Sequence, residues 1–222
     1  MIQAVVFDMD GVVFDSEKIY LKCLTAVGEK YRIPDFEDLC FATIGTTDLH
    51  MKEVFLDHYG EDFPFDQYMD EMFVLFRKEA EGGLPLKEGV REILAYLKQN
   101  NIKVALATST IREKALPEIR NAGLEPFFDQ FICGDMIENG KPEPDIYLKA
   151  CASLGVKPEH AIAIEDSFNG IRSASRAGMH PVMVPDLLQP DDEIQELAEC
   201  VLPSLLDVIM YIDGKDKRYV II

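Results

Sequence analysis

Asp8 and Asp10 stand two residues apart where an apolar run ends and Gly11 lets the chain turn, in the string Val-Phe-Asp-Met-Asp-Gly. Carboxylates at the end of a buried strand can hold a divalent cation and still leave one oxygen to attack an electrophile. Three later places carry complementary groups. Thr108 and Ser109 close a second apolar run, Lys141 follows Asn139-Gly140, and Glu165-Asp166 ends a further run. Phosphoryl transfer would use all of them. Asp8 would attack phosphorus and form an acyl phosphate. Asp10 would protonate the leaving oxygen and later deprotonate the attacking water. Asp8, Asp10 and Asp166 would give hard oxygen ligands to Mg²⁺, and Glu165 would add a ligand or hold a metal-bound water. Lys141 would neutralise a phosphate oxygen, while Thr108 and the Ser109 amide would donate hydrogen bonds to others.

Each residue alone has an ordinary structural use. Asp caps turns and helices, threonine ends strands, and lysine is usually solvated. Chance placement of complementary groups at four strand ends explains the set poorly.

The elements that must position these groups are legible as apolar runs. Strands are expected at Ile2–Phe7, Ile102–Thr108, Gln130–Cys133, Ala161–Glu165 and His180–Val184. Helical patterns fall between the later ones, over 88–99, 111–122, 143–154 and 168–177, with Pro117 expected to kink or restart the second and Gly178 to cap the fourth. Strands alternating with helices mean right-handed crossovers and a parallel sheet. The first strand breaks this rhythm, because residues 16–79 read as helix throughout. Expected there are a helix from Ser16, a short one near 36–42, one over 48–58 and one capped by Asp66. The fold class is therefore α/β, a Rossmann-like doubly wound parallel sheet core with an inserted all-α unit. Residues 1–15 and 82–222 would form the core and 16–81 the insert, with Gly82-Gly83 as the return hinge.

The chain has 222 residues, 48% of them hydrophobic, enough for one substantial core and a small second unit. Its 22 basic and 40 acidic residues give a formal charge of −18. Such a field repels nucleic acid and anionic lipid, and obliges any phosphate site to supply local positive charge. The five cysteines are odd in number and lack metal-ligand spacing, so they read as buried thiols in a reducing compartment. Neither a leader nor a membrane span is recognised. A cytoplasmic monomer acting on a small phosphorylated metabolite, with no nucleic-acid or membrane partner, is expected.

The string FDMDGVVFDSE, with Thr108, Lys141 in GKPEPD and Glu165-Asp166 in IEDSFNGI, resembles the four signature motifs of the haloacid dehalogenase superfamily of phosphohydrolases, in order. The insert is similar to the small helical cap of its β-phosphoglucomutase-like branch. That resemblance implies the roles given above, a Mg²⁺ cofactor, and a cap that closes over the site, excludes bulk water and selects the substrate.

Within the superfamily, the dehalogenases lack the second aspartate, and the transport ATPases carry membrane spans. The β-phosphoglucomutases carry a histidine where this chain has Tyr20. They also place an arginine where it reads Gly45-Thr46-Thr47-Asp48, so an anion stands where a mutase wants a cation. A phosphatase is favoured, acting on a sugar phosphate whose hydroxyls Thr46, Thr47 and Asp48 would bind. β-Phosphoglucomutase-type transfer between sugar hydroxyls is the alternative. A non-catalytic binding domain is a third reading, and the intact set of functional residues speaks against it.

Overall fold

The computed structural model describes residues 2–31, 36, 39–40 and 48–214. Its strands are β1 (Ala4–Phe7), β2 (Lys103–Thr108), β3 (Gln130–Cys133), β4 (Ala161–Glu165), β5 (His180–Met183) and β6 (Cys200–Val201). They form one six-stranded sheet in the order β3-β2-β1-β4-β5-β6, and every pairing is parallel. Strands covered on both faces read as continuous apolar runs, as Ala4–Phe7 does with all four residues buried.

Helices α4 (Val90–Gln99), α5 (Arg112–Asn121), α6 (Asp145–Leu154), α7 (Phe168–Arg176), α8 (Asp192–Leu197) and α9 (Leu205–Ile212) flank these strands, after three helices of the insert. Alanines at 105, 107, 161 and 163 line one face of the sheet, and α6 packs over it with Ile146, Tyr147, Ala150 and Leu154. Small side chains on the strands let the helix backbone lie close.

Three local expectations are corrected. β6 was not foreseen, because two residues carry no readable period. Pro117 lies inside α5, which runs from Arg112 to Asn121 without a restart. Asp66 lies in the first turn of its helix, whose N-cap is Pro64. Gly178 does follow α7 with φ +75°, and its N–H donates to Ser175 O at 2.9 Å.

By contacts the chain divides into two units, Met1–Asp15 with Pro85–Ile222, and Ser16–Leu84. In the first unit the outgoing and returning chains run side by side. Asp15 N–H donates to Pro85 O at 2.8 Å and Lys87 N–H to Val13 O at 3.0 Å.

The second unit contains α1 (Ser16–Tyr31), α2 (Asp48–Tyr59) and α3 (Phe65–Glu79). Leu24, Val27, Phe55, Tyr68, Met69 and Met72 form its core. Phe55 meets the rings of Phe65 and Tyr68 at 5.4 and 5.8 Å, and the buried Tyr68 hydroxyl donates to Leu24 O at 3.0 Å. Most of the short helix expected near 36–42 lies outside the described residues.

Candidate active site

Sequence order and strand order part company at β1. The chain builds β2 and β3 on one side of it, then crosses to build β4, β5 and β6 on the other. A crevice opens beyond the carboxyl ends of the strands at such a reversal. Phe7 is in register with Leu106 of β2 and Ile164 of β4. Asp8 follows at the rim, with its N–H on Ile164 O at 3.0 Å, and Glu165-Asp166 comes one step along the neighbouring strand. The strand-end carboxylates of β1 and β4 therefore meet.

One oxygen from each of Asp8, Glu165 and Asp166 lies within 4.8 Å of the others, and all three residues are buried. An all-oxygen donor set of this kind suits a hard divalent cation. The Asp10 side chain, expected to join them, is outside this group. Asp10 stands beyond the strand end, and its Oδ2 accepts from the Thr110 hydroxyl at 3.1 Å. Gly11, at φ +78°, is needed for space as well as for the turn, since a Cβ there would come 2.1 Å from Asp166 Oδ2.

Lys141 crosses from the loop before α6 into the same place. Its ammonium pairs with Asp8, lies 2.6 Å from Glu165 Oε1 and donates to Ala107 O at 3.2 Å. Only 7% of the Lys141 side chain is exposed, so it is no solvated loop lysine. Burial lowers the basicity of this ammonium, but the charges of Asp8 and Glu165 outweigh it and hold it above the usual lysine range. At Asp8, burial wins over the attraction of Lys141 and pushes the carboxyl well above its ordinary value.

Glu165 is held from three sides. Oε1 also accepts from the Tyr147 hydroxyl, and Oε2 accepts from the Ser167 hydroxyl at 3.1 Å. Gly170 leaves room for this carboxylate, because a Cβ there would come 1.9 Å from its carboxyl carbon. Ser167 also caps α7 by accepting from Gly170 N at 3.1 Å. The capping use considered for Asp166 is thus taken by its neighbour. Burial, then the charge of Glu165, lifts the Tyr147 phenol well above the usual tyrosine range and keeps it a donor.

Thr108 is buried at the end of β2, and its hydroxyl oxygen accepts from Thr110 N at 3.0 Å. That contact uses one lone pair and leaves the hydroxyl proton able to donate. Ser109 is exposed at the same rim, and its carbonyl passes so close to Gly134 that a Cβ there would lie 2.1 Å away.

Thr46 and Thr47 lie outside the described residues. Asp48 opens α2, and its side chain is likewise outside them. Tyr147, Thr110 and Gly170 are the site residues that sequence reasoning missed. Tyr147 read as one more residue on the buried face of a helix, and nothing local marks it otherwise.

A doubly wound α/β unit whose strand ends gather carboxylates, a hydroxyl and an ammonium defines a hydrolase class, and the comparisons agree. The family profile described as haloacid dehalogenase-like hydrolase matches residues 5–184. The chain belongs to that family, and it is an enzyme of the family's phosphatase kind. The "Phosphorylated carbohydrates phosphatase" of Thermotoga maritima is 34% identical over 180 residues, 81% of this chain and 83% of that protein. CbbY from Rhodobacter sphaeroides, solved as a variant with xylulose-(1,5)bisphosphate, superposes with a TM-score of 0.73 at 28% identity, over 92% of this chain and 95% of that one. β-Phosphoglucomutase from Clostridium difficile has a TM-score of 0.78 at 23% identity, over 97% of each chain, which bears on the fold alone.

Proposed function

We propose that this protein is a Mg²⁺-dependent phosphatase that hydrolyses a sugar phosphate through an aspartyl-phosphate at Asp8. The observation that carries the reading is the meeting of Asp8, Glu165 and Asp166 at the sheet's point of reversal, with the Lys141 ammonium on Asp8 and Glu165. Three clustered carboxylates, only two of them paired with this ammonium, favour a divalent cation, and the donors are all hard oxygens. Asp8 and Asp166 are the residues that would hold it, with Glu165 beside them. When bound, the cation would screen the repulsion between a carboxylate nucleophile and an anionic phosphate.

The chain's own groups perform the remaining steps. An Asp8 oxygen attacks phosphorus, and the bond from phosphorus to the leaving oxygen breaks with its electron pair on that oxygen. Asp10 gives its proton to the leaving oxygen. Water then attacks the phosphorus, Asp10 takes the water proton, and the bond to Asp8 breaks to free phosphate. Lys141 and Thr108 bind oxygens of the phosphoryl group as negative charge gathers there. Lys141 also compensates Asp8 between turnovers.

Two similarities support a sugar ester: the name of the Thermotoga relative and the sugar bisphosphate bound by CbbY. The mutase alternative gains nothing from Tyr20. Its ring packs against Phe73 and Phe76 at 6.4 and 6.2 Å in the helical unit, where the mutases carry an imidazole.

The test is phosphate release from a panel of sugar phosphates and 4-nitrophenyl phosphate, with Mg²⁺ or a chelator, beside Asp8→Asn. β-Glucose 1-phosphate with a trace of glucose 1,6-bisphosphate is assayed in parallel for isomerisation. Release that needs both the metal and Asp8 is the expected result. Glucose 6-phosphate formed without free phosphate would replace the phosphatase reading with the mutase.

A further inference from the structure

Thr110 occupies an unusual place in the rim. It lies two residues beyond the end of β2, and its backbone N–H donates to Thr108 Oγ1 at 3.0 Å. Its hydroxyl donates across to Asp10 Oδ2 at 3.1 Å, joining the loop after β2 to the loop after β1. A threonine just before a helix usually spends its hydroxyl on the helix N-terminus. Here the N-cap of α5 is Ile111, which makes no side-chain capping bond, and the Arg112 N–H at the helix start donates to Asp135 Oδ1 at 2.9 Å.

We propose that Thr110 is the positioning residue for Asp10, setting the direction in which that carboxyl group passes its proton. This rests on the acid–base role given to Asp10 above. A carboxyl group turns easily about its last torsion, which is broad and roughly two-fold. Proton transfer needs the acid aligned with the leaving oxygen within hydrogen-bond reach. The Asp10 backbone is already fixed, since Asp10 and Phe14 form a β-bridge and Gly11 N–H donates to Phe14 O at 2.9 Å. The hydroxyl of Thr110 restrains the plane of the carboxyl group through Oδ2. Thr110 is in turn held by Thr108, so the phosphate-binding turn and the acid–base group are set by one short chain of contacts. Thr110 need not touch the substrate to do this.

Leaving-group chemistry distinguishes this role from a structural one. A sugar alkoxide cannot depart without a proton, whereas 4-nitrophenolate can. kcat/KM reports the formation of the aspartyl-phosphate, the step in which Asp10 acts as acid. Thr110→Val keeps the shape and removes the hydroxyl; Thr110→Ser keeps the hydroxyl.

In Thr110→Val, kcat/KM should fall about 10- to 100-fold for the best sugar phosphate, a fraction of a full general-acid contribution. The loss on 4-nitrophenyl phosphate should be smaller by about 10-fold or more, and Thr110→Ser should recover most of the sugar-ester rate. Equal losses on the two esters, or no loss on either, overturn the proposal and leave the phosphatase reading intact. A wild-type protein that releases phosphate from neither ester overturns both, so the two failures are distinguishable.

Discussion

Lys141 Nζ lies 2.6 Å from Glu165 Oε1, the same oxygen to which the buried Tyr147 hydroxyl donates. Glu165 is thereby, with Asp8, a counter-anion of the buried lysine. Two donors on one oxygen also limit how far that carboxylate can serve anything else. The position of Lys141 beside Asp8 thus depends on a tyrosine from a neighbouring helix.

Tyr147→Phe removes the phenolic donor and leaves the ring's packing in place. The variant should lose about 1.5–3 kcal/mol of stability, the range for a hydrogen bond to a charged group. Denaturant unfolding with an unchanged slope checks this. A midpoint equal to wild type would mean that the phenol contributes no net stability.

Gly170→Ala gives an unusual sign. Alanine in place of glycine within a helix normally stabilises by about 1 kcal/mol. Here the new methyl would come 1.9 Å from the Glu165 carboxyl carbon, so the carboxylate must move. The variant should be less stable than wild type by about 1–3 kcal/mol, as for other overpacked sites. It should also turn over more slowly, because Lys141 follows Glu165. Thermal melts and phosphate release measure the two effects.

Asp8→Asn should lower phosphate release by at least about three orders of magnitude, the scale seen when a covalent nucleophile is removed. Its circular dichroism should match wild type. Turnover near the wild-type rate would remove Asp8 as nucleophile.

The raised Asp8 carboxyl predicts a pH dependence with a definite sign. Burial lifts it well above its ordinary value of 3.8 against the pull of Lys141. Over the window from 3.8 up to the raised value, the folded protein keeps a proton that the unfolded chain has lost. Stability from this group is therefore greatest below the window and declines as pH rises through it. Lys141, shifted upward, stays charged throughout. A cation at Asp8 needs the ionised form, so metal binding releases a proton and strengthens with pH. In chelator, the Tm of wild type should fall relative to Asp8→Asn as pH is raised across the window. The rise in Tm on adding Mg²⁺ should grow over the same range. A pH-independent Mg²⁺ effect would contradict the coupling.

Apolar runs and helical periodicity were enough to place β1 through β5 and the helices between them, because each is long enough to show its pattern. The same runs put Asp8, Thr108 and Glu165-Asp166 at strand ends, and parallel strands send their ends to one rim whatever their order. Those facts are local, or follow from parallelism alone, so the sequence by itself determined them. β6 was hidden because two residues have no period, and the continuation of α5 through Pro117 carries no local mark.

Only the tertiary structure decided which groups touch. The strand order makes β1 and β4 neighbours, and so brings Asp166 against Gly11. The contacts of Tyr147 with Glu165 and of Thr110 with Asp10 span 18 and 100 residues. Hydrogen bonds need distances and angles set to a few tenths of an ångström, and no local pattern encodes them. Phenylalanine would satisfy the buried face of α6 as well as tyrosine does. What the hydroxyl is for becomes visible only when the helix is laid on the sheet.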